Sequence, residues 1–131
     1  MAKKCFVFGS NEAGIHGAGA AKTAYEKHGA RWGFSYGHMG DSFAIPTKDQ
    51  ILDTLPTERI KDYVRGFLAY ATGHRKLTFV VTRIGCGLAG IPDPVMALMF
   101  KDAPKNCLFD EAWKPIFERH NITHNYWGTF Q

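Results

Sequence analysis

Residues 5–25 have the sequence CFVFGSNEAGIHGAGAAKTAY, and this stretch determines the fold. Residues 5–8 are apolar and are followed by turn formers, a pattern that is typical of a buried strand. The small residues 17–21 lead into good helix formers that extend to His28, and Gly29 marks a stop. The pattern predicts a strand, a glycine-rich turn and the start of a helix.

Strand-like and helix-like segments alternate along the rest of the chain. Apolar β-prone runs predict further strands at residues 42–45 (closed by Pro46), 77–82, 106–109 and 122–127. Apolar residues at helical spacing predict helices at residues 57–73, 92–101 and 113–119, with Thr57 and Asp110 as caps. Residues 31–41 are expected to form an irregular loop. This order predicts a single α/β domain over residues 1–131, with three layers around a mixed, mostly parallel sheet.

The composition is that of an ordinary globular domain. The 131 residues are 45% hydrophobic and 21% charged, which excludes a disordered chain. The net charge of +4 favours an anionic ligand, but no basic run or known motif supports nucleic acid as the partner. His120 and His124 lack a convergent acid or cysteine, which disfavours a zinc site. Three widely spaced cysteines and the lack of a bilayer-length apolar run predict a cytoplasmic protein without membrane contact.

A second glycine-rich turn, RIGCGLAG at residues 83–90, follows the strand predicted at 77–82. Ligands bind outside the carboxyl ends of parallel strands, so both turns are expected to face one crevice. Small residues let a phosphate approach the backbone, and the N–H groups of a helix start attract anions. The residues expected to offer amides are Ala18, Gly19, Ala20 and Ala21 on one side and Gly85, Cys86, Gly87 and Leu88 on the other. The alternative is that both are ordinary turns, since neither a P-loop nor a dinucleotide fingerprint is present.

Three motifs in this order resemble the macro domain family. They are Asn11 with GAGAA at residues 17–21, IPTK at residues 45–48, and RIGCGL at residues 83–88. The chain is most similar to the branch of terminal ADP-ribose protein glycohydrolases and ADP-ribose-1″-phosphate phosphatases. The resemblance implies a macro-like fold that binds ADP-ribose or an ADP-ribosylated protein and needs no cofactor. Further ligand contacts that it implies are Ser10, Asn11, Gly17, Thr47, Arg83 and Ile84.

Lys48 and His16 are the candidate catalytic residues. In the glycohydrolase branch a lysine after the strand-ending threonine attacks the distal ribose, and the resemblance carries this role to Lys48. The alternative is a surface lysine. Ala89 replaces the family's assisting aspartate, and Asp93 lies beyond Pro92 and is not its equivalent. His16 precedes the first glycine turn, where it either acts as a general acid or base or shapes the loop through backbone hydrogen bonds.

Several other residues fit two roles each. Asn11 is either a ribose contact or a turn residue, and Cys86 is favoured as inert because no histidine is paired with it. Trp32, Phe34 and Tyr36 either stack on the ligand or anchor their loop. The leading hypothesis is hydrolysis of an ADP-ribose derivative, either the 1″-phosphate or a protein-linked ester. A non-catalytic reader of such a nucleotide is the alternative, and a nucleic-acid-binding protein is a third.

Overall fold

The structure is a computed structural model that describes residues 3–129. Within this range the chain forms one six-stranded sheet and four α-helices. The strands are β1 (Lys3–Asn11), β2 (Gly37–Met39), β3 (Ser42–Lys48), β4 (Leu77–Val81), β5 (Cys107–Asp110) and β6 (Asn125–Gly128). The helices are α1 (Gly19–Lys27), α2 (Thr57–Gly73), α3 (Asp93–Leu98) and α4 (Lys114–Arg119), and a 3₁₀ turn at Glu111–Trp113 precedes α4.

The sheet is mixed and mostly parallel, as the sequence predicts. The strand order is β2-β3-β1-β4-β5-β6. Only the pairing of β2 with β3 is antiparallel, and every other neighbouring pair is parallel. The carboxyl ends of β3, β1, β4 and β5 therefore lie along one edge of the sheet.

Alternation along β1 divides the interior into two cores. Cys5 and Val7 pack in a large core with residues of α2, α3 and α4. Phe6 and Phe8 point to the other face, where they pack in a smaller core with residues of α1. The domain thus has three layers, with three helices on one face of the sheet and α1 on the other.

The larger core is built around aromatic rings. Phe67 on α2 is fully buried, and its ring centroid lies 5.0 Å from that of Phe43, 5.3 Å from that of Phe79 and 6.2 Å from that of Phe100. These distances are those of favourable edge-to-face pairs. Phe67 therefore joins α2 to two strands and to the chain after α3.

The loop expected at residues 31–41 contains a strand that the sequence pattern did not indicate. β2 has three residues, and it forms through pairing with the first half of β3, where Gly37 faces Ala44. β3 also continues through Pro46 to Lys48, so the prediction that Pro46 closes this strand is wrong. Pro46 is tolerated because β2 does not extend opposite it, which leaves β3 with one neighbour there.

Several element boundaries also differ from the prediction. Pro56, not Thr57, occupies the cap position of α2. α3 ends at Leu98, and β6 begins at Asn125 because residues before it form a turn after α4. No helix within residues 3–129 is long and apolar enough to cross a bilayer.

We expect Phe67→Ala to lower the free energy of unfolding by about 3–5 kcal/mol, because it removes the ring on which the larger core is assembled. Urea titration followed by circular dichroism measures the change. Phe34→Ala is the matched control, since Phe34 is 54% exposed and should change stability by about 0.5 kcal/mol or less. Equal losses in the two variants would contradict this description of the core.

Candidate functional site

A cavity of about 490 Å³ lies where β1, β3, β4 and β5 end. This volume falls in the range of roughly 300–1,000 Å³ that is usual for small-molecule sites. The predicted site residues that line it are Ser10, Asn11, Gly17, Ala18, Gly19, Ala20, Ala21, Thr47, Lys48, Arg83, Ile84, Gly85, Gly87 and Leu88. The two glycine turns therefore face one crevice, as expected. His16 and Cys86 are the predicted site residues that do not line it.

The start of α1 forms one wall of the cavity. Ala18 has extended backbone angles at the cap position, and Gly19 begins the helix with a φ of +59°. Within the described chain no side chain caps this helix start, and its first turn holds no acidic residue. The first N–H groups of a helix have no partner inside the helix and carry partial positive charge. This wall can therefore receive an anion.

The second glycine turn forms the facing wall. It is closed by a hydrogen bond from the Ile91 N–H to the Gly85 carbonyl at 2.8 Å, and Gly85 has a φ of +76°. A Cβ built on Gly85 would lie 3.0 Å from the Ile91 side chain, so the turn requires glycine there. Leu88 is 71% exposed, and its Cδ1 lies 3.9 Å from where a Gly19 Cβ would stand. The two walls thus approach each other at Leu88 and Gly19.

Three ionisable residues line the described cavity: Lys48, Arg83 and Asp110. Lys48 ends β3 and is half-buried, and the described residues provide no carboxylate within salt-bridge distance of its amine. Asp110 ends β5 and is fully buried. β3 and β5 are three strand spacings apart in the sheet, which corresponds to roughly 14 Å between their backbones. Lys48 and Asp110 therefore mark opposite ends of the cavity.

Asp110 was expected only as a helix cap, and the structure confirms that part. Its Oδ1 accepts the Ala112 N–H at 2.9 Å at the start of the 3₁₀ turn. Its Oδ2 also accepts the Thr129 hydroxyl at 3.2 Å. Its place in the cavity wall was missed, because Asp110 belongs to none of the predicted site motifs, the last of which ends at Gly90. The available signal was its position directly after a predicted strand.

The structure favours the loop-shaping role of His16 over catalysis. His16 is 1% exposed, and its ring lies edge-on to Phe8 and to Trp32. Its Nε2 lies 2.8 Å from the Arg31 carbonyl oxygen and 3.1 Å from that of Phe34. A donor shared between two carbonyl oxygens holds the loop after α1 against the turn before it. In this position the imidazole does not line the cavity, which leaves the loop-shaping role as the one that its contacts support.

Asn11 lines the cavity and also fits its alternative role as a turn residue. Its Oδ1 accepts the Ile15 N–H at 3.0 Å, and its Nδ2 donates to the Ile15 carbonyl at 2.8 Å. The carboxamide thereby closes the loop that leads to the first glycine turn. One N–H of the amide group is left over by these two bonds, and it is what Asn11 can offer to a ligand.

Cys86 does not take part in the cavity wall that was predicted for it. Burial raises the pKa of its thiol to about 12, so the nucleophilic thiolate is scarce at neutral pH. Its Sγ lies 3.6 Å from the Ile84 carbonyl oxygen. The inert role that the sequence favoured for Cys86 fits this environment.

The aromatic residues of the loop after α1 also lie outside the cavity wall. Trp32 and Phe34 are each 54% exposed, and Trp32 packs edge-on against Tyr25. Tyr36 donates its hydroxyl to the Tyr63 carbonyl at 2.8 Å and so attaches the loop to α2. Tyr36 therefore serves as a loop anchor, and none of Trp32, Phe34 and Tyr36 is positioned to stack inside the cavity.

Glu12 fastens the end of β1 to α2. Its Oε2 accepts Nε and Nη2 of Arg59 at 2.9 and 2.7 Å and also the Tyr63 hydroxyl. Its backbone N–H donates to the Lys48 carbonyl at 2.9 Å. The Tyr63 hydroxyl, followed by Arg59, lowers the pKa of the Glu12 carboxyl. Glu12 thereby holds the segment between Asn11 and the first glycine turn beside Lys48.

Comparison with known proteins supports the fold alone. No protein family model and no curated protein matches the chain. A solved structure described as a protein of unknown function from Bacteroides thetaiotaomicron is similar, with a TM-score of 0.61 and 15% sequence identity. The match covers 98% of this chain and 88% of that chain. It is consistent with the three-layer α/β/α arrangement.

The Glu12 contacts predict a pH-dependent contribution to stability. A carboxyl whose pKa is lower in the folded than in the unfolded chain stabilises the fold above its unfolded pKa, and this is lost as pH falls through the folded pKa. At about pH 7 we expect Glu12→Gln to have a lower free energy of unfolding than the parent. This difference should shrink as the pH is lowered toward about 3. Urea titrations across this range test it.

Tyr63→Phe serves as the partner variant, because it removes the largest cause of the lowered pKa and keeps the ring. It should flatten the pH dependence in part. A gap between parent and Glu12→Gln that stays constant with pH would contradict the interpretation.

Proposed function

We propose that this protein binds ADP-ribose or a closely related NAD-derived nucleotide and hydrolyses a derivative of it. The observation that carries the proposal is the cavity across four strand ends, with the backbone amides of two facing glycine turns between Lys48 and Asp110. A ligand that fits this layout is elongated and carries its negative charge in the middle. A diphosphate flanked by two nucleoside-like ends has this form.

The diphosphate is the part of the ligand that the two turns support. The start of α1 has no side-chain cap, and it lines the same cavity as Gly85 and Gly87 of the second turn. Backbone donors suit phosphate because they are preorganised and lose little entropy on binding. Arg83 adds a cation at the end of β4.

Lys48 is the catalytic candidate at the β3 end of the cavity. With no carboxylate in salt-bridge contact among the described residues, its amine is available to contact a distal ribose or its 1″-phosphate. In hydrolysis of the 1″-phosphate a water molecule attacks the phosphorus, the P–O bond to the distal ribose breaks, and the ribose oxygen leaves. The Lys48 ammonium can stabilise the charge on the phosphoryl oxygens during this step, which uses no side chain at position 89. Cleavage of a protein-linked ester would make Lys48 the nucleophile, which requires an unprotonated amine.

A non-catalytic reader is the second candidate, and one observation favours it. Ala89 lines the cavity at the position where the resemblance places an assisting aspartate, and the neighbouring carboxylate, Asp93, is bonded to Arg83. Asp110 lies too far from Lys48 to take the place of that carboxylate, because β3 and β5 are three strand spacings apart. Binding and catalysis are therefore separable claims. We place either activity in a reducing cytoplasm, where Cys5, Cys86 and Cys107 remain free thiols.

A carboxylate placed at the start of α1 tests binding without weakening the fold. Ala18→Asp puts a good capping residue on an exposed position that lacks a side-chain cap, which typically adds about 1 kcal/mol of stability. The same charge should weaken ADP-ribose binding by about tenfold or more, because it repels the diphosphate. Isothermal titration calorimetry and thermal unfolding measure the two effects.

Ala18→Asn is the matched control, since it offers a similar cap without charge. It should raise stability to a similar extent and weaken binding less than Ala18→Asp does. If the parent protein fails to bind ADP-ribose, or if Asp and Asn at position 18 weaken binding equally, the diphosphate assignment is wrong.

Lys48→Ala separates catalysis from binding. We expect it to abolish turnover of ADP-ribose-1″-phosphate or of ADP-ribosylated protein while ADP-ribose affinity stays within about threefold, because the amides carry the diphosphate. Phosphate release and loss of the protein-bound label measure turnover. A parent protein that binds ADP-ribose tightly but turns over neither substrate is a reader.

A further inference from the structure

Hydrogen bonds connect the buried core to the cavity through three side chains. Trp113 is fully buried and donates its indole N–H to Oδ1 of Asp93 at 2.8 Å. Arg83 donates Nε–H to the same oxygen at 2.8 Å and Nη2–H to Oδ2 at 2.7 Å. Arg83 also lines the cavity. We call Trp113, Asp93 and Arg83 the arginine relay.

Both ends of the arginine relay restrict its motion. The Trp113 ring is packed in the larger core, with centroids 5.7 Å from Phe100 and 6.1 Å from Phe109. At the other end, a guanidinium that meets both oxygens of one carboxylate is held in a single plane. The orientation of Arg83 is therefore set from the core, although its side chain is 43% exposed.

The relay stays charged and retains donors for a ligand. Arg83, and then the Trp113 indole, lower the pKa of the Asp93 carboxyl to about 2, against the opposing effect of its burial. The ion pair is therefore intact at neutral pH. A guanidinium has five N–H donors, and Asp93 takes two of them here. Three N–H groups remain that Asp93 does not use.

Arg83 is also the cation that stands beside the second glycine turn. It lies two residues after the end of β4 and precedes Gly85, Gly87 and Leu88 of the cavity wall. Lys48 ends β3, two strand spacings from β4, which is roughly 10 Å away. The central part of the cavity therefore receives its positive side chain from Arg83, and the end of the cavity from Lys48.

We infer that Asp93 and Trp113 are positioning residues that hold the Arg83 guanidinium as a preset donor for the ligand's diphosphate. This inference deepens the proposed function and rests on its cavity. Holding a flexible side chain in its binding orientation removes part of the entropy cost of binding. A purely structural relay, which only joins α3 to the glycine turn, would affect every ligand alike through stability.

Three variants and one control test the arginine relay. Asp93→Asn removes the charge that holds Arg83, Trp113→Phe removes the indole donor and keeps a ring, and Arg83→Lys keeps the charge without the fork. The control is Asp62→Asn, which breaks another aspartate–arginine pair, with Arg65 at 3.1 Å on the exposed face of α2. The probes are ADP-ribose, inorganic pyrophosphate and adenosine, measured by calorimetry, with thermal unfolding as a check of folding.

The expected pattern is selective for phosphate. Arg83→Lys should weaken ADP-ribose and pyrophosphate by about tenfold, and Asp93→Asn and Trp113→Phe by about three- to tenfold. Adenosine affinity should stay within about twofold in all three variants, because adenosine has no group for Arg83. Asp62→Asn should bind all three probes as the parent does.

The indole N–H of Trp113 provides a spectroscopic test. In nitrogen-15 spectra of the parent its resonance, identified by its loss in Trp113→Phe, should move when pyrophosphate binds at Arg83. In Asp93→Asn the connection is broken, and the resonance should no longer respond. A structural tie alone would not transmit pyrophosphate binding to a buried indole.

The outcomes separate this inference from the proposed function. If Asp93→Asn and Trp113→Phe bind pyrophosphate as the parent does, or lose pyrophosphate and adenosine equally, the inference is overturned while ADP-ribose binding stands. If the parent binds pyrophosphate with the expected sensitivity but not ADP-ribose, the relay is supported and the proposed function is wrong. A parent that binds neither overturns both. If Trp113→Phe does not fold, Arg83→Lys and Asp93→Asn decide the question.

Discussion

The parallel pairing of β1 with β3 on one side and β4 on the other is the constraint on which the rest of the structure depends. The register places Gly9 opposite Ile45 and Val7 opposite Val81, so the chain leaves all three strands at one edge. A Cβ on Gly9 would lie 3.3 Å from the Gly85 nitrogen, and this close approach brings the second glycine turn beside the first strand. The cavity exists because the carboxyl ends of these parallel strands lie at one edge of the sheet.

Much of the fold was predictable because its signals are local. Alternate residues of β1 belong to different cores, and the helical spacing of apolar residues predicted α2 correctly. β2 was not predictable, because its three residues are flanked by Gly40 and contain Gly37, and they form a strand only through β3. The continuation of β3 through Pro46 was not predictable either, because it depends on β2 not extending opposite Pro46.

In the candidate site, too, local features were predictable from the sequence and long-range contacts were not. The glycine turns were predictable, because a backbone with positive φ, as at Gly19 and Gly85, is recorded in the residue types themselves. The orientation of side chains was not. His16 stands next to the first turn in sequence and yet points into the smaller core, whereas Asp110 and Asp93 act through contacts with residues distant in sequence. The sequence therefore predicted which backbone turns line the cavity better than it predicted the contacts of the side chains.

The two helical layers bury different amounts of apolar surface, and this difference has a consequence for folding. The α1 side of the sheet is covered mainly by small residues, with Ala21, Ala24 and Ala44 packed around Phe6 and Phe8. A layer that buries so little apolar surface is the part of the domain that opens at least cost. In the proposed function, an anion bound at the start of α1 would occupy that layer only when the layer is closed. Ligand concentration would then act on the local folding equilibrium of α1, so that occupancy of the cavity and order of this layer would rise together.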